Sequence, residues 1–244
     1  MQHMCRNDPE ENQAPVRGWV KRHARTVFLT VGTLMLISEL WKQLCLTFLL
    51  NGGRYQWPFF PFQLCSVSMY ACILLYFCWG TEFGNVLLTF VKDFVLLAGM
   101  LAFCDTSGFR EYAYLPLVVH SYCWHILMIL IAVFAGIAAW QEGSASLSLN
   151  RWLGAAGIYL VCCGIAEILN LSLYRFGTIN MFYISPKYRM QQIVFRDLIP
   201  VLGNNGTILL YICMTMAGAA LIHLIWRCIY GSKNMGNAIR VPGR

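Results

Sequence analysis

The run Leu115-Pro-Leu-Val-Val-His-Ser-Tyr-Cys-Trp-His-Ile-Leu-Met-Ile-Leu-Ile-Ala-Val-Phe-Ala-Gly-Ile-Ala-Ala139 contains no Asp, Glu, Lys or Arg. At 1.5 Å per residue, a helix of this length crosses the ~30 Å hydrocarbon core of a bilayer. It therefore predicts a membrane span. Counting this run, six stretches read the same way: 27–50, 61–80, 85–104, 113–139, 152–173 and 206–229. Composition agrees, with 58% hydrophobic and 12% charged residues, against about 25% charged in a soluble domain. Such a chain cannot keep its surface in water. The expected fold class is all-α: a polytopic transmembrane helix bundle of about six spans.

The expected organisation is a polar N-terminal arm over 1–26, one bundle domain over 27–229 and a basic tail over 230–244. The chain is polar as far as Ala24, and the first apolar run is too long for the core of a cleaved signal peptide, so none is expected. The net charge of +7 does not point to nucleic acid, because the basic residues sit between the apolar runs and there set topology. Lys and Arg are more numerous on the side holding both termini, which predicts cytoplasmic termini. The four basic residues of the 174–205 loop oppose that choice. The protein is expected to be integral and multi-pass, in the cell membrane if bacterial and an endomembrane if eukaryotic.

There are 11 cysteines and no Cys-x-x-Cys, so neither a disulfide framework nor a zinc site is expected. No metal and no cofactor is expected. Asn205-Gly-Thr207 fits a glycosylation sequon, relevant only in a eukaryotic secretory pathway.

Chemistry is expected where polar side chains enter the spans, since ionisable groups in a bilayer are costly and hence functional candidates. Cys65 and Gln63 open the second span behind Pro58 and Pro61. A helix start favours a thiolate, through its dipole and its unpaired N–H groups. His120 and His125 lie on the fourth span and reach a similar depth. They point about 140° apart, so only one faces a small site, and which one is open. Glu167 and Asn170 sit in the fifth span and Asn180 just beyond it. Asp93 and Glu39 fall near the midplane of spans three and one. Glu39 and Lys42 either pair with each other or line the site. Lys92 and Asp93, being adjacent, are not expected to share a face, so Asp93 is placed inward. Asn170 either bridges helices or serves the site. His223 is expected to be structural. The 174–205 loop is expected to fold back over the bundle or lie at the interface. A thiol beside an imidazole is the minimum for nucleophilic acyl chemistry.

The order of these motifs resembles the YwaF-type integral membrane family. Pro61-Phe-Gln-Leu-Cys65 matches its Pro-hydrophobic-Gln/His-Leu-Cys opening of the second span. His125-Ile-Leu-Met-Ile-Leu-Ile matches its histidine-led run in the fourth. Asn170, Asn180-Met-Phe-Tyr-Ile184 and Leu97-Ala-Gly99 fall where that family has an Asn, Asn-Tyr-Met-Tyr-Leu and a similar third-span motif. The likeness extends over roughly residues 30 to 229. Asp105-Thr-Ser-Gly replaces the family's Thr-Pro-Asp, and Lys92-Asp93 has no counterpart in the pattern. The family is similar to a eukaryotic transmembrane acyltransferase of ether phospholipids and, more distantly, to the androgen-induced membrane hydrolases. The resemblance implies Cys65 as nucleophile, His125 as base, and Asn170 and Asn180 as orienting or oxyanion donors. Gln63, His120, Asp93 and Glu167 complete the candidate lining.

The leading expectation is therefore a lipid acyltransferase or lipid-ester hydrolase whose partners are membrane phospholipids or acyl esters. A small proton-coupled transporter or lipid-binding protein, built on Glu39, Asp93 and Glu167, is the alternative. A structural subunit, with the polar groups as helix glue, is the third reading.

Overall fold

A computed structural model describes residues 13–109, 112, 114–141 and 147–238. Among them there are helices and turns but no strands. Helix α1 covers Gln13–Leu44 and continues as a π turn over Cys45–Leu50. Helix α2 is Leu64–Cys78. Helix α3 runs Glu82–Cys104 and contains a π turn at Val91–Val95. Helix α4 is Leu115–Gln141, α5 is Leu149–Leu173 and α6 is Ile199–Ala238. Five of the six are long and apolar enough to cross a bilayer, with α2 the exception. The protein is an all-α, multi-pass integral membrane protein.

Each boundary has a local cause. Beyond α1, Gly53 N–H donates to Thr47 O across two left-handed glycines, while Asn51 Nδ2 donates to Leu46 O, so the last carbonyls are satisfied. Pro61 and the turn Trp57–Phe59 delay the start of α2 to Leu64. The expected span 61–80 is thereby cut to 15 residues, which rise only about 22 Å. The incoming segment leans on the bundle through Trp57, Phe60 and Phe62.

Helix α3 starts on Thr81, whose Oγ1 accepts from Gly84 N–H. The turn between α2 and α3 is so tight that a Cβ at Gly84 would lie 2.0 Å from Cys78 O. Gly84→Ala is therefore expected to push the two helices apart and lower the melting temperature of the purified protein by several degrees. An unchanged melt would show that this turn yields freely.

The N-terminal arm differs from expectation. From Gln13 onward it is helical, and Val20 and Ala24 are buried. Arg25 holds it in place: Nε donates to Tyr76 O at 2.8 Å, and the guanidinium lies 4.2 Å over the Tyr76 ring. This satisfies a C-terminal carbonyl of α2. Likewise, α6 carries the chain helically into the expected tail as far as Ala238. Residues 1–12 of the arm and 239–244 of the tail lie outside the described residues, as does Arg110.

The core between the helices is aromatic along one line. Ring contacts run Phe90–Phe94–Tyr159–Phe182–Phe62, with centroids 5.1 to 6.1 Å apart. Helix α6 reaches α4 at Gly136, where a Cβ would strike Trp226 at 2.4 Å. The sequon at Asn205 falls inside α6, with Thr207 buried and its hydroxyl donating to Gly203 O.

Candidate functional site

Cys65 stands in the first turn of α2, partly exposed. The intrahelical ladder begins with Ser66 N–H and Val67 N–H, both donating to Gln63 O. The N–H groups of Leu64 and Cys65 precede that ladder, as at any helix start. The Cys65 carbonyl accepts from Ser68 Oγ at 2.5 Å and from Trp124 Nε1 at 3.3 Å. The second bond fixes α2 to α4 at the level of the two histidines.

A charged group that sequence reasoning left undecided stands beside them. On α1, Lys42 Nζ lies 2.8 Å from Glu39 Oε1, and Gln43 Nε2 donates to the same oxygen at 2.7 Å. Gln43 also donates to Phe59 O, tying α1 to the segment that leads into α2. Lys42 acts electrostatically on Cys65, His120 and His125 alike, whereas Glu39 acts on Cys65 and His120. So the pairing of Glu39 with Lys42 and the lining of the site are the same arrangement. The carboxylate also reaches Tyr55 in the following loop, whose phenol is held above its ordinary value by burial and then by Glu39. Glu39 thus belongs to the end of the bundle near that loop rather than to the midplane.

The histidines flank the core face of α4 on opposite sides, as their spacing predicts. His120 is wedged between Trp41 and Trp124, with centroids 5.7 and 5.5 Å away, and its Nε2 is closed off without a partner. His125 Nδ1 is 2.8 Å from Ser121 O, and its ring stacks on Phe109 at 4.5 Å. A carbonyl only accepts, so Nδ1 carries the proton and Nε2 is the lone-pair nitrogen. Asp105 helps to set this stacking. Its carboxylate accepts from Ser107 N–H at 3.0 Å and shapes the turn that carries Phe109. Those Ser107 bonds hold its carboxyl below the usual carboxylate range. No hydrogen bond joins the Cys65 thiol to either imidazole among the described residues.

Gln63, Asn170 and Asn180 do come together, but around a loop backbone. Gln63 Nε2 donates to Asn180 O at 2.9 Å and its Oε1 accepts from Phe182 N–H at 2.7 Å. Asn170 Oδ1 accepts from Met181 N–H at 2.6 Å and its Nδ2 donates to Met181 O at 3.1 Å. Asn180 Oδ1 accepts from Ser185 N–H at 3.0 Å, which leaves Nδ2 buried without a partner. This clamp holds Phe182 and Tyr183 at φ +56° and +59°, a left-handed geometry costing on the order of 1–3 kcal/mol per residue. The resemblance gave Asn170 an oxyanion role; here both ends of its amide are spent on Met181.

Further along, Asn204 bridges Met190 N–H and Tyr188 O, so the 174–205 loop folds back on the bundle as expected. Asn170→Leu is expected to strand both backbone groups of Met181 and speed hydrogen exchange at Met181, Phe182 and Ser185 by at least tenfold. Unchanged protection at those amides would mean that other contacts hold the loop.

Asp93 departs from the expected cluster. The π turn inserts an extra residue into α3, so adjacent Lys92 and Asp93 are both fully buried, against the expectation that they cannot share a face. Lys92 Nζ pairs with Asp93 Oδ1 and lies 3.2 Å from His223 Nδ1. His223 Nδ1 is 2.7 Å from Asp93 Oδ2, and Nε2 is 3.2 Å from Leu147 O. The expected structural histidine is thus the third member of a buried ionic triad. Tyr230, within electrostatic reach of Asp93, donates to Gly136 O. Along α4, Gly136 lies about 18 Å from Trp124. The polar groups therefore form two sites at different levels rather than one.

Glu167, three residues before Asn170 on α5 and hydrogen-bonded to its side chain, faces a cleft between α5 and α6. Among the described residues no group of three or more His, Cys, Asp or Glu is arranged to hold a metal ion. No family model, curated protein or solved structure matches this chain.

Proposed function

We propose that the protein is a lipid acyltransferase or lipid-ester hydrolase that works through Cys65, as its resemblance to the YwaF-type family implies. The observation that carries the reading is the position of Cys65. A half-buried cysteine stands at a helix start, tied through Trp124 to the level of two imidazoles and near the Lys42–Glu39 pair. Among the described residues no other cysteine has this combination.

In the first step the Cys65 sulfur attacks the ester carbonyl and its proton passes to His125 Nε2. The carbonyl oxygen becomes an oxyanion, met by the Leu64 and Cys65 N–H groups and by Asn180 Nδ2. The C–O bond then breaks, and the departing alcohol takes the proton from His125. A thioester remains on Cys65. An acceptor alcohol or water attacks it, the C–S bond breaks, and the acceptor's proton returns through His125 to sulfur. His120, held between two indoles, positions Trp124 and through it the Cys65 carbonyl.

The test is the lipidome of membranes containing wild type or Cys65→Ala at matched protein levels. A shift in acyl-chain distribution that disappears with the variant supports the reading and identifies the lipid class. Identical lipidomes would remove Cys65 from the chemistry.

The buried Lys92–Asp93–His223 triad favours a second reading, a proton-coupled transporter. Ionisable groups at such depth are typical of proton paths. It predicts solute flux in proteoliposomes that depends on Asp93 and is indifferent to Cys65. Flux that survives Asp93→Asn, or none at all, would dismiss it.

A further inference from the structure

The first turns of α1 carry Arg17, Lys21, Arg22 and Arg25. The part of that helix long and apolar enough to cross a bilayer begins at Arg22. These residues therefore stand at the boundary between hydrocarbon and headgroups, where basic side chains meet lipid phosphate. Trp19, 47% exposed and stacked on His23 at 5.0 Å, is the kind of aromatic that anchors a helix at that level.

Arg22 and Arg25 are both exposed. Being three residues apart on a helix, they are surface neighbours with Cβ atoms about 5–6 Å apart. Each is held by its Nε: Arg22 Nε donates to Gly18 O at 3.2 Å, and Arg25 Nε to Tyr76 O at 2.8 Å. With Nε committed, the Nη groups are what each arginine has left to offer. Among the described residues neither guanidinium pairs with a carboxylate. Glu82, the carboxylate that follows α2, meets Arg151 instead. Two neighbouring arginine forks without an acidic partner suit the oxygens of one phosphate. The surface deeper in the bilayer is apolar. Phe77, T-shaped against Tyr76 at 5.3 Å, is 69% exposed, and Leu74 before it on α2 is exposed as well. Charge selects the headgroup. A zwitterionic lipid would bring its amine up to two arginines with no carboxylate to receive it. A phospholipid without a cationic group brings only what the arginines bind.

We propose that Arg22 and Arg25 bind the phosphate of an anionic phospholipid at the α1–α2 surface, with its acyl chains lying along Phe77 and Leu74. Because Arg25 also bonds α1 to the end of α2, the lipid braces that contact from outside. The site stands apart from Cys65 and requires nothing of the acyl chemistry.

The test is native mass spectrometry of the full-length protein in detergent with added dioleoylphosphatidylglycerol. The wild type is expected to retain this lipid, and neither dioleoylphosphatidylcholine nor inorganic phosphate should displace it. Arg22→Gln should weaken retention about fivefold, the worth of one basic residue beside anionic lipid. Arg22 is bonded only within its own helix, so this variant keeps the α1–α2 contact. Arg25→Gln, which breaks that contact, should weaken retention at least as much. Arg54→Gln removes the same charge from the exposed loop beyond the far end of α1 and should leave retention unchanged. Equal retention by wild type and Arg22→Gln overturns the site. So does a loss as large in Arg54→Gln, which would mean diffuse attraction, or displacement by phosphatidylcholine or by inorganic phosphate. The same results are expected in a Cys65→Ala background, so the outcome is independent of whether Cys65 carries an acyl group.

Discussion

Asp93→Ala is expected to destabilise the purified protein by about 3–5 kcal/mol, the usual cost of breaking a buried ion pair from one side. For a chain of this size that lowers the melting temperature by roughly 10 °C. The reason lies in what remains. Lys92 and His223 are buried beside the missing carboxylate. Removing the whole triad with Lys92→Met, Asp93→Leu and His223→Leu should recover most of the loss, because none of its three polar groups is then left unpaired. A melt unchanged by Asp93→Ala would show that the triad contributes nothing to stability.

The triad also constrains where its protons sit. His223 Nε2 faces Leu147 O, so it carries a proton. Nδ1 faces both the Lys92 ammonium and the Asp93 carboxylate. It either accepts from Lys92 or donates to Asp93, and it cannot do both at once. Lys92, Asp93 and His223 thus form one connected buried hydrogen-bonded chain, the kind of arrangement that the transporter reading requires.

The second large effect is on activity. Cys65→Ala should reduce acyl turnover to background, and His125→Gln should cost about 10²–10⁴-fold in kcat, the usual contribution of a general base. KM of His125→Gln should change little, since a base that acts only in the chemical step leaves ground-state binding alone. Melting temperature should also be nearly unchanged, because Cys65→Ala removes one sulfur from a half-buried residue and His125 is anchored through Ser121 within its own helix. His120→Gln should have the smaller effect on kcat. If instead His120→Gln abolished turnover and His125→Gln spared it, the base would be His120 and the tautomer argument from Ser121 would fail.

Hydropathy located all six helices, because a bilayer demands long apolar runs whatever the packing. Its edges failed where packing or a break decided them. Pro61 shortened α2, and Arg25 on Tyr76 held the N-terminal extension of α1. The π turn in α3 left no trace in the periodicity of a fully buried helix, so Lys92 and Asp93 were set on different faces. His223 was expected to be structural, but its partners, on another helix 130 residues away, were not legible. Gln63, Asn170 and Asn180 stood out in the sequence as polar groups in or beside the spans. Their attachment to the backbone of residues 180–185 is non-local and was not legible. Lys42 was visible as the neighbour of Glu39, but its place among Cys65 and both histidines depends on how α1, α2 and α4 pack.

The central claim is that Cys65 carries an acyl group. The most direct measurement is intact-protein mass spectrometry of the purified wild type after brief incubation with a membrane phospholipid and rapid acid quench. The account predicts a mass gain of one acyl chain, removed by neutral hydroxylamine as a thioester should be, mapped to the peptide bearing Cys65 and absent from Cys65→Ala. An acyl adduct that persists in Cys65→Ala, or turnover of the lipid with no adduct at Cys65 even when His125→Gln slows the second step, would contradict it.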